Sequence, residues 1–139
     1  VAEMARVLKP EGRVVLSIPF LFPVHEAPID FQRFTEFGLK NLFQQHFSDV
    51  RIEALFNEWQ TIGMLIQRMA FQARMPKWRF FTYQLLARAV FHGLGRRGLS
   101  NTYANIARSE AGAFMTAGYL VIAENKKEAS DQNIERKAA

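Results

Sequence analysis

Ala5-Arg6-Val7-Leu8-Lys9-Pro10-Glu11-Gly12-Arg13-Val14-Val15-Leu16-Ser17-Ile18-Pro19-Phe20 is the stretch on which the reading of this chain turns. Upstream of it, Val1, Met4, Ala5 and Leu8 fall at i, i+3, i+4 and i+7, one face of a helix. Pro10 and Gly12 occupy the second and fourth places of a turn that starts at Lys9, which predicts a type I turn. Val14 to Ile18 is β-branched and apolar with little alternation, the pattern of a strand covered on both faces. A helix that opens on its apolar face with no cap before it predicts that the chain is the second half of a larger domain.

Working outward, Leu21 to Phe34 is irregular and broken by Pro23 and Pro28. Thr35 is a good N-cap and Glu36 suits a first turn, so Leu39, Leu42, Phe43, His46 and Phe47 predict a helix over 36–47. Val50, Ile52, Ala54 and Phe56 alternate with Arg51, Glu53, Leu55 and Asn57 at strand period. Ile62, Leu65, Ile66, Met69 and Ala70 make a helical stripe. Pro76 is placed to open a second helix over 77–92, with Trp78, Phe81, Leu85 and Ala89 on one face. Gly93, Gly95 and Gly98, with Arg96 and Arg97 between them, end it in a basic loop. Gly118 to Ala123 reads as a last strand, and 125–139 as a disordered polar tail.

The same residues carry a resemblance. "ARVLKPEGRVVLSIPF" followed by "HEAPIDFQRFT" resembles the C-terminal half of class I S-adenosylmethionine-dependent methyltransferases, in the broad type 11 group. In that family a Leu-Lys-Pro-Gly-Gly-like turn leads from a helix into the fifth strand of a seven-stranded sheet. Leu8-Lys9-Pro10-Glu11-Gly12 has one Gly fewer than the commonest form. The resemblance covers about Val1 to Trp59 and resumes near Tyr119. It implies an α/β fold: the C-terminal half of a Rossmann-like seven-stranded methyltransferase sheet, comprising strands five, six and seven. Residues 1–124 would form this part, with a basic helical insert at 60–109 between the last two strands, and the last strand would lie antiparallel between the other two. The cofactor implied is S-adenosyl-L-methionine. The family's glycine-rich turn and ribose-binding acidic residue belong to strands one and two and are not among these residues, so the isolated chain is expected to be inactive and to bind the cofactor poorly.

Methyl transfer from a sulfonium needs in-line placement, exclusion of water and sometimes a base for the acceptor. In open α/β sheets ligands bind outside the carboxyl ends of the strands, where the loop from Pro19 to Phe34 lies. His25 is the one residue of that loop that titrates near neutrality and is the candidate catalytic base. Asp30 would orient it or contact substrate, and Arg33 would hold an anionic group, so His25, Asp30 and Arg33 are the candidate substrate-binding residues. A second reading of Asp30 and Arg33, three apart before a helix, is a local ion pair that ties down the loop. The resemblance supports the loop, since relatives share a His-x-x-Pro-x-Asp-like pattern.

Composition narrows the remaining classes. The chain has 139 residues, 49% of them apolar, with thirteen Phe that need burial or an interface. It has no cysteine, which excludes disulfides, thiolate metal sites and cysteine nucleophiles and fits a cytoplasmic setting. No cluster has metal-ligand spacing, and no run is long enough to span a bilayer. The net charge of +5 is concentrated: no acidic residue lies between Glu58 and Glu110, whereas Arg68, Arg74, Lys77, Arg79, Arg88, Arg96, Arg97 and Arg108 do. Three readings of this insert are open: a lid over the substrate, an element at the inner membrane surface meeting lipid or a lipid-linked acceptor, and, least favoured, a nucleic-acid surface. The partner expected is a small-molecule or lipid-linked acceptor. The rival class is a non-catalytic membrane-surface or interaction module on the same scaffold.

Overall fold

The computed structural model describes residues 1–24, 26–96 and 115–125. Among them are a mixed α/β arrangement of four helices and a three-stranded antiparallel sheet. The elements run α1 (Ala2–Val7), β1 (Arg13–Pro19), α2 (Glu36–Gln44), β2 (Phe47–Ala54), α3 (Glu58–Gln72), α4 (Lys77–Arg88) and β3 (Gly118–Asn125). A π-helical segment, Ala89–Leu94, continues α4.

The sheet order is β1-β3-β2, with β3 antiparallel to both neighbours. The last strand therefore lies between the other two, as expected. The register builds three rows across one face: Val14, Ala123 and Val50; Leu16, Val121 and Ile52; Ile18, Tyr119 and Ala54. On this face sit Leu39 and Phe43 of α2 and Phe47, with Val1, Ala5 and Leu8 packed at the margin. Leu39 and Phe43 are one turn apart and fully buried, so α2 holds to the sheet by burying both side chains against it. The rings of Phe43 and Phe47 stack with centroids 5.7 Å apart.

Several sequence expectations need correction. Glu11 has φ of 59°, and Gly12 N–H donates to Lys9 O at 2.9 Å, so the turn after α1 is of the type II family rather than type I. Gly12 is required there, because a Cβ would meet the Lys9 carbonyl at 2.8 Å. β1 is not covered on both faces: exposure alternates along it, and Val15 is 62% exposed. Met4 is exposed rather than packed with the rest of its stripe. The helix over 36–47 stops at Gln44, where a turn closed by His46 N–H on Phe43 O sends Phe47 into β2. Phe47 is apolar at either period, which is why the sequence pattern placed it in the helix.

Asn125 is a further correction. Read with the polar tail, it instead ends β3. Its side-chain amide donates to the carbonyls of Ala5 and Leu8, both at 3.1 Å, and to that of Lys9 at 3.3 Å. Those are carbonyls that the end of α1 leaves without intrahelical partners. One side chain thus fastens the last strand to the first turn. Residues 126–139, which make up the rest of the expected tail, lie outside the described residues.

Between β2 and β3 the chain forms a helical hairpin, as the insert reading expects. Asn57 and Gln60 make a reciprocal capping box at the start of α3. α3 and α4 pack through Gly63, whose missing side chain lets Ala87 and Phe91 approach. Farther along the seam, Gln67 bonds to Gln84 at 3.3 Å and the Phe71 and Phe80 rings meet edge to face. Pro76 is the cap residue of α4, one position before the place expected.

Candidate functional site

The carboxyl ends of β1 and β2 and the start of β3 meet at one edge of the sheet. Thr116, fully buried, joins all three. Its hydroxyl donates to Gly118 O at 2.9 Å and accepts from Phe56 N–H at 3.3 Å, while its carbonyl accepts from Leu21 N–H at 3.4 Å. Phe20 N–H donates to Ala117 O at 2.8 Å, so the ladder extends one residue past β1 into the loop. This anchored rim is where the loop that carries the candidate residues begins.

In that loop Arg33 donates through Nη2 to Asp30 Oδ2. The pair is substantially buried, with side-chain exposures of 23% for Arg33 and 9% for Asp30. The local ion pair was one of two readings of this spacing, and it is the one the geometry realises. It leaves a donor to spare: Arg33 Nη1 is buried and has no hydrogen-bond partner among the described residues. A guanidinium with one nitrogen neutralised by a carboxylate and another left without a partner keeps a donor that suits an oxyanion. His25, the candidate base, lies outside the described residues, so no distance ties it to Asp30.

Two residues at the same rim were not singled out by the sequence. Glu36, in the first turn of α2, is buried although ionisable, and Tyr119 of β3 is buried beside it. Burial pushes the Tyr119 phenol pKa above its ordinary value of 10.0, and the Glu36 carboxylate adds to this. Hydrogen bonding with the Glu36 backbone opposes the shift. The phenol therefore remains protonated at neutral pH, a donor or neutral wall rather than a base. Its ring lies 5.5 Å from that of Phe20, tilted by 38°. The sequence signal was faint: Glu36 served equally well as a helix-start residue and Tyr119 as a strand residue.

The helical hairpin reaches this loop. The Arg68 guanidinium of α3 sits 4.7 Å above the Phe22 ring, a cation–π contact between insert and loop. Asn57 also bonds through its side-chain amide to Gly95 O, closing the hairpin onto the end of β2. Gly95 is buried against that contact, where a Cβ would run into Phe91 O and Gln60. Residues 97–114, including Arg97, Gly98 and Arg108 of the basic segment, lie outside the described residues.

Among the described residues no three His, Asp or Glu side chains are grouped to hold a metal ion, and no helix is long and apolar enough to cross a membrane. The arrangement offers a guanidinium with a spare donor in the loop after β1 and, at the sheet rim, a protonated phenol beside a buried carboxylate and the Phe20 ring. Compared with protein-family models, with curated proteins and with solved structures, the chain matches none.

Proposed function

We propose that this chain supplies the C-terminal part of a class I S-adenosylmethionine-dependent methyltransferase, strands five to seven of its sheet, and that its rim faces the methyl acceptor. The observation that carries this reading is the strand order. β1 and β2 run in the same direction, joined through α2, and the gap between them is filled by an antiparallel strand from the end of the chain. That arrangement is what the resemblance in the turn before β1 implies, and hydrophobic pattern alone does not choose it.

On this reading the cofactor supplies an electrophilic methyl group on a sulfonium, held mainly by residues upstream of Val1. The residues of this chain act on the acceptor side. Arg33 offers its unpartnered Nη1 donor to an anionic group on the acceptor while Asp30 fixes the guanidinium. His25 takes the acceptor proton. The α3–α4 hairpin, held to the loop by Arg68 on Phe22, excludes water as a lid.

The test uses the chain extended by the residues that precede Val1 in its gene. The extended protein binds S-adenosylmethionine in titration calorimetry and transfers its labelled methyl group, whereas the chain from Val1 alone does not bind in the micromolar range. His25→Ala lowers turnover; Asp30→Ala does so and also loosens the loop. Micromolar binding by the chain alone, or an extended protein that does not bind the cofactor, rejects the reading. The rival non-catalytic module gains if the upstream sequence lacks a strand, a Gly-rich turn and an acidic residue about 20 positions on.

A further inference from the structure

The outer face of α4 is strongly apolar and exposed. Trp78, Phe81 and Leu85, at i, i+3 and i+7, are 68%, 68% and 71% exposed. The opposite side of the helix is already used: Phe80, Gln84 and Ala87 face α3. The sequence places Trp78, Phe81 and Leu85 on one apolar face of the helix, and the structure turns that face to solvent. Phe71, at the end of α3, is also exposed.

Every charged residue along the insert beside the stripe is basic. Arg74 and Lys77 precede it, Arg79 flanks it and Arg88 closes α4; all four are exposed, and no acidic residue occurs from 59 to 109. A protein partner of ordinary surface chemistry would leave these charges uncompensated. An anionic bilayer compensates every one, and at the same depth accepts Trp, Phe and Leu side chains below its headgroups. The helix is too short and too charged to cross, so contact of this kind is parallel to the surface.

We infer that α4 docks on an anionic lipid surface, with Trp78, Phe81 and Leu85 in the headgroup–acyl boundary and Arg74, Lys77, Arg79 and Arg88 at the phosphates. This inference stands apart from the proposed activity, since it rests on the outward side of the hairpin and not on the rim. The two sides of the insert then have different tasks: α3 meets the loop and α4 meets lipid.

Flotation of the chain with vesicles in a density gradient tests it, because aggregates sink while lipid-bound protein rises. The chain floats with vesicles that contain phosphatidylglycerol and not with pure phosphatidylcholine, and added salt reduces the recovery at the top. In a Trp59→Phe background the remaining indole, Trp78, shifts its emission to the blue and is quenched by brominated acyl chains. Changing Arg74, Lys77 and Arg79 to Gln weakens partitioning roughly a hundredfold, the equivalent of about 1 kcal/mol for each charge. Changing Trp78, Phe81 and Leu85 to Ser abolishes flotation while thermal unfolding of the sheet is unaltered. Equal recovery with neutral and anionic vesicles, an indole emission that lipid does not move, or undiminished flotation of the Gln variant overturns the inference.

Discussion

Single residues carry strain and charge that the pattern of the chain does not advertise. Glu11 stands at φ of 59°, where a side chain costs about 1 kcal/mol that glycine avoids. Glu11→Gly should therefore raise the unfolding free energy by about 1 kcal/mol in urea titration, opposite to the usual effect of adding a glycine. Tyr119 gives a pH signature. Its folded pKa lies above the unfolded value of 10.0, so the folded state retains a proton that the unfolded chain releases. Its contribution is fully present below pH 10 and is lost as the pH climbs from there through the raised folded value. Comparing urea stability below and above pH 10 in the parent and in Tyr119→Phe isolates this slope, which should be shallower in the variant. At neutral pH the variant should lose about 1 kcal/mol with the phenol's hydrogen bond.

At the scale of elements, the α3–α4 seam depends on one close approach. A Cβ on Gly63 would lie 2.8 Å from Phe91 Cβ and 2.9 Å from both Ala87 O and Phe91 N. Two of those three atoms are backbone and cannot swing aside. Gly63→Ala should force the helices apart at a cost of about 1–3 kcal/mol. Hydrogen exchange would report it as faster exchange along α4 with unchanged protection in β3. The boundary of α2 has a different lesson. Leu39, Leu42 and Phe43 fixed the helix correctly, but its end depended on the turn at Gln45–His46, where no Gly or Pro marks the stop. Thr35 as the cap was legible, and its Oγ1 accepts from Gly38 N–H at 3.2 Å.

For the whole molecule, the outcome at the two sheet faces is unequal. Val14, Leu16 and Ile18 meet α2 and the margin of α1, while Val15 on the opposite side is exposed. The rim assembles residues from positions 20 to 36 with others from 116 to 119, far apart in sequence and adjacent only because β3 pairs with both neighbours. Local chemistry decided a great deal unaided: the presence of a turn at Lys9–Gly12, the cap at Thr35, and the three strands and two insert helices follow from spacing within a few residues, while the Asp30–Arg33 spacing left two readings open. Strand order entered only through resemblance, because period-2 alternation gives a strand two faces and no neighbours. Tertiary structure alone decided what had no local cause. It buried Glu36 against Tyr119, set Asn125 on the carbonyls of α1, and turned Trp78, Phe81 and Leu85 outward. The last is the plainest case: α4 has apolar residues on more than one side, so its periodicity is ambiguous, and the glycine at position 63 selects the side that packs.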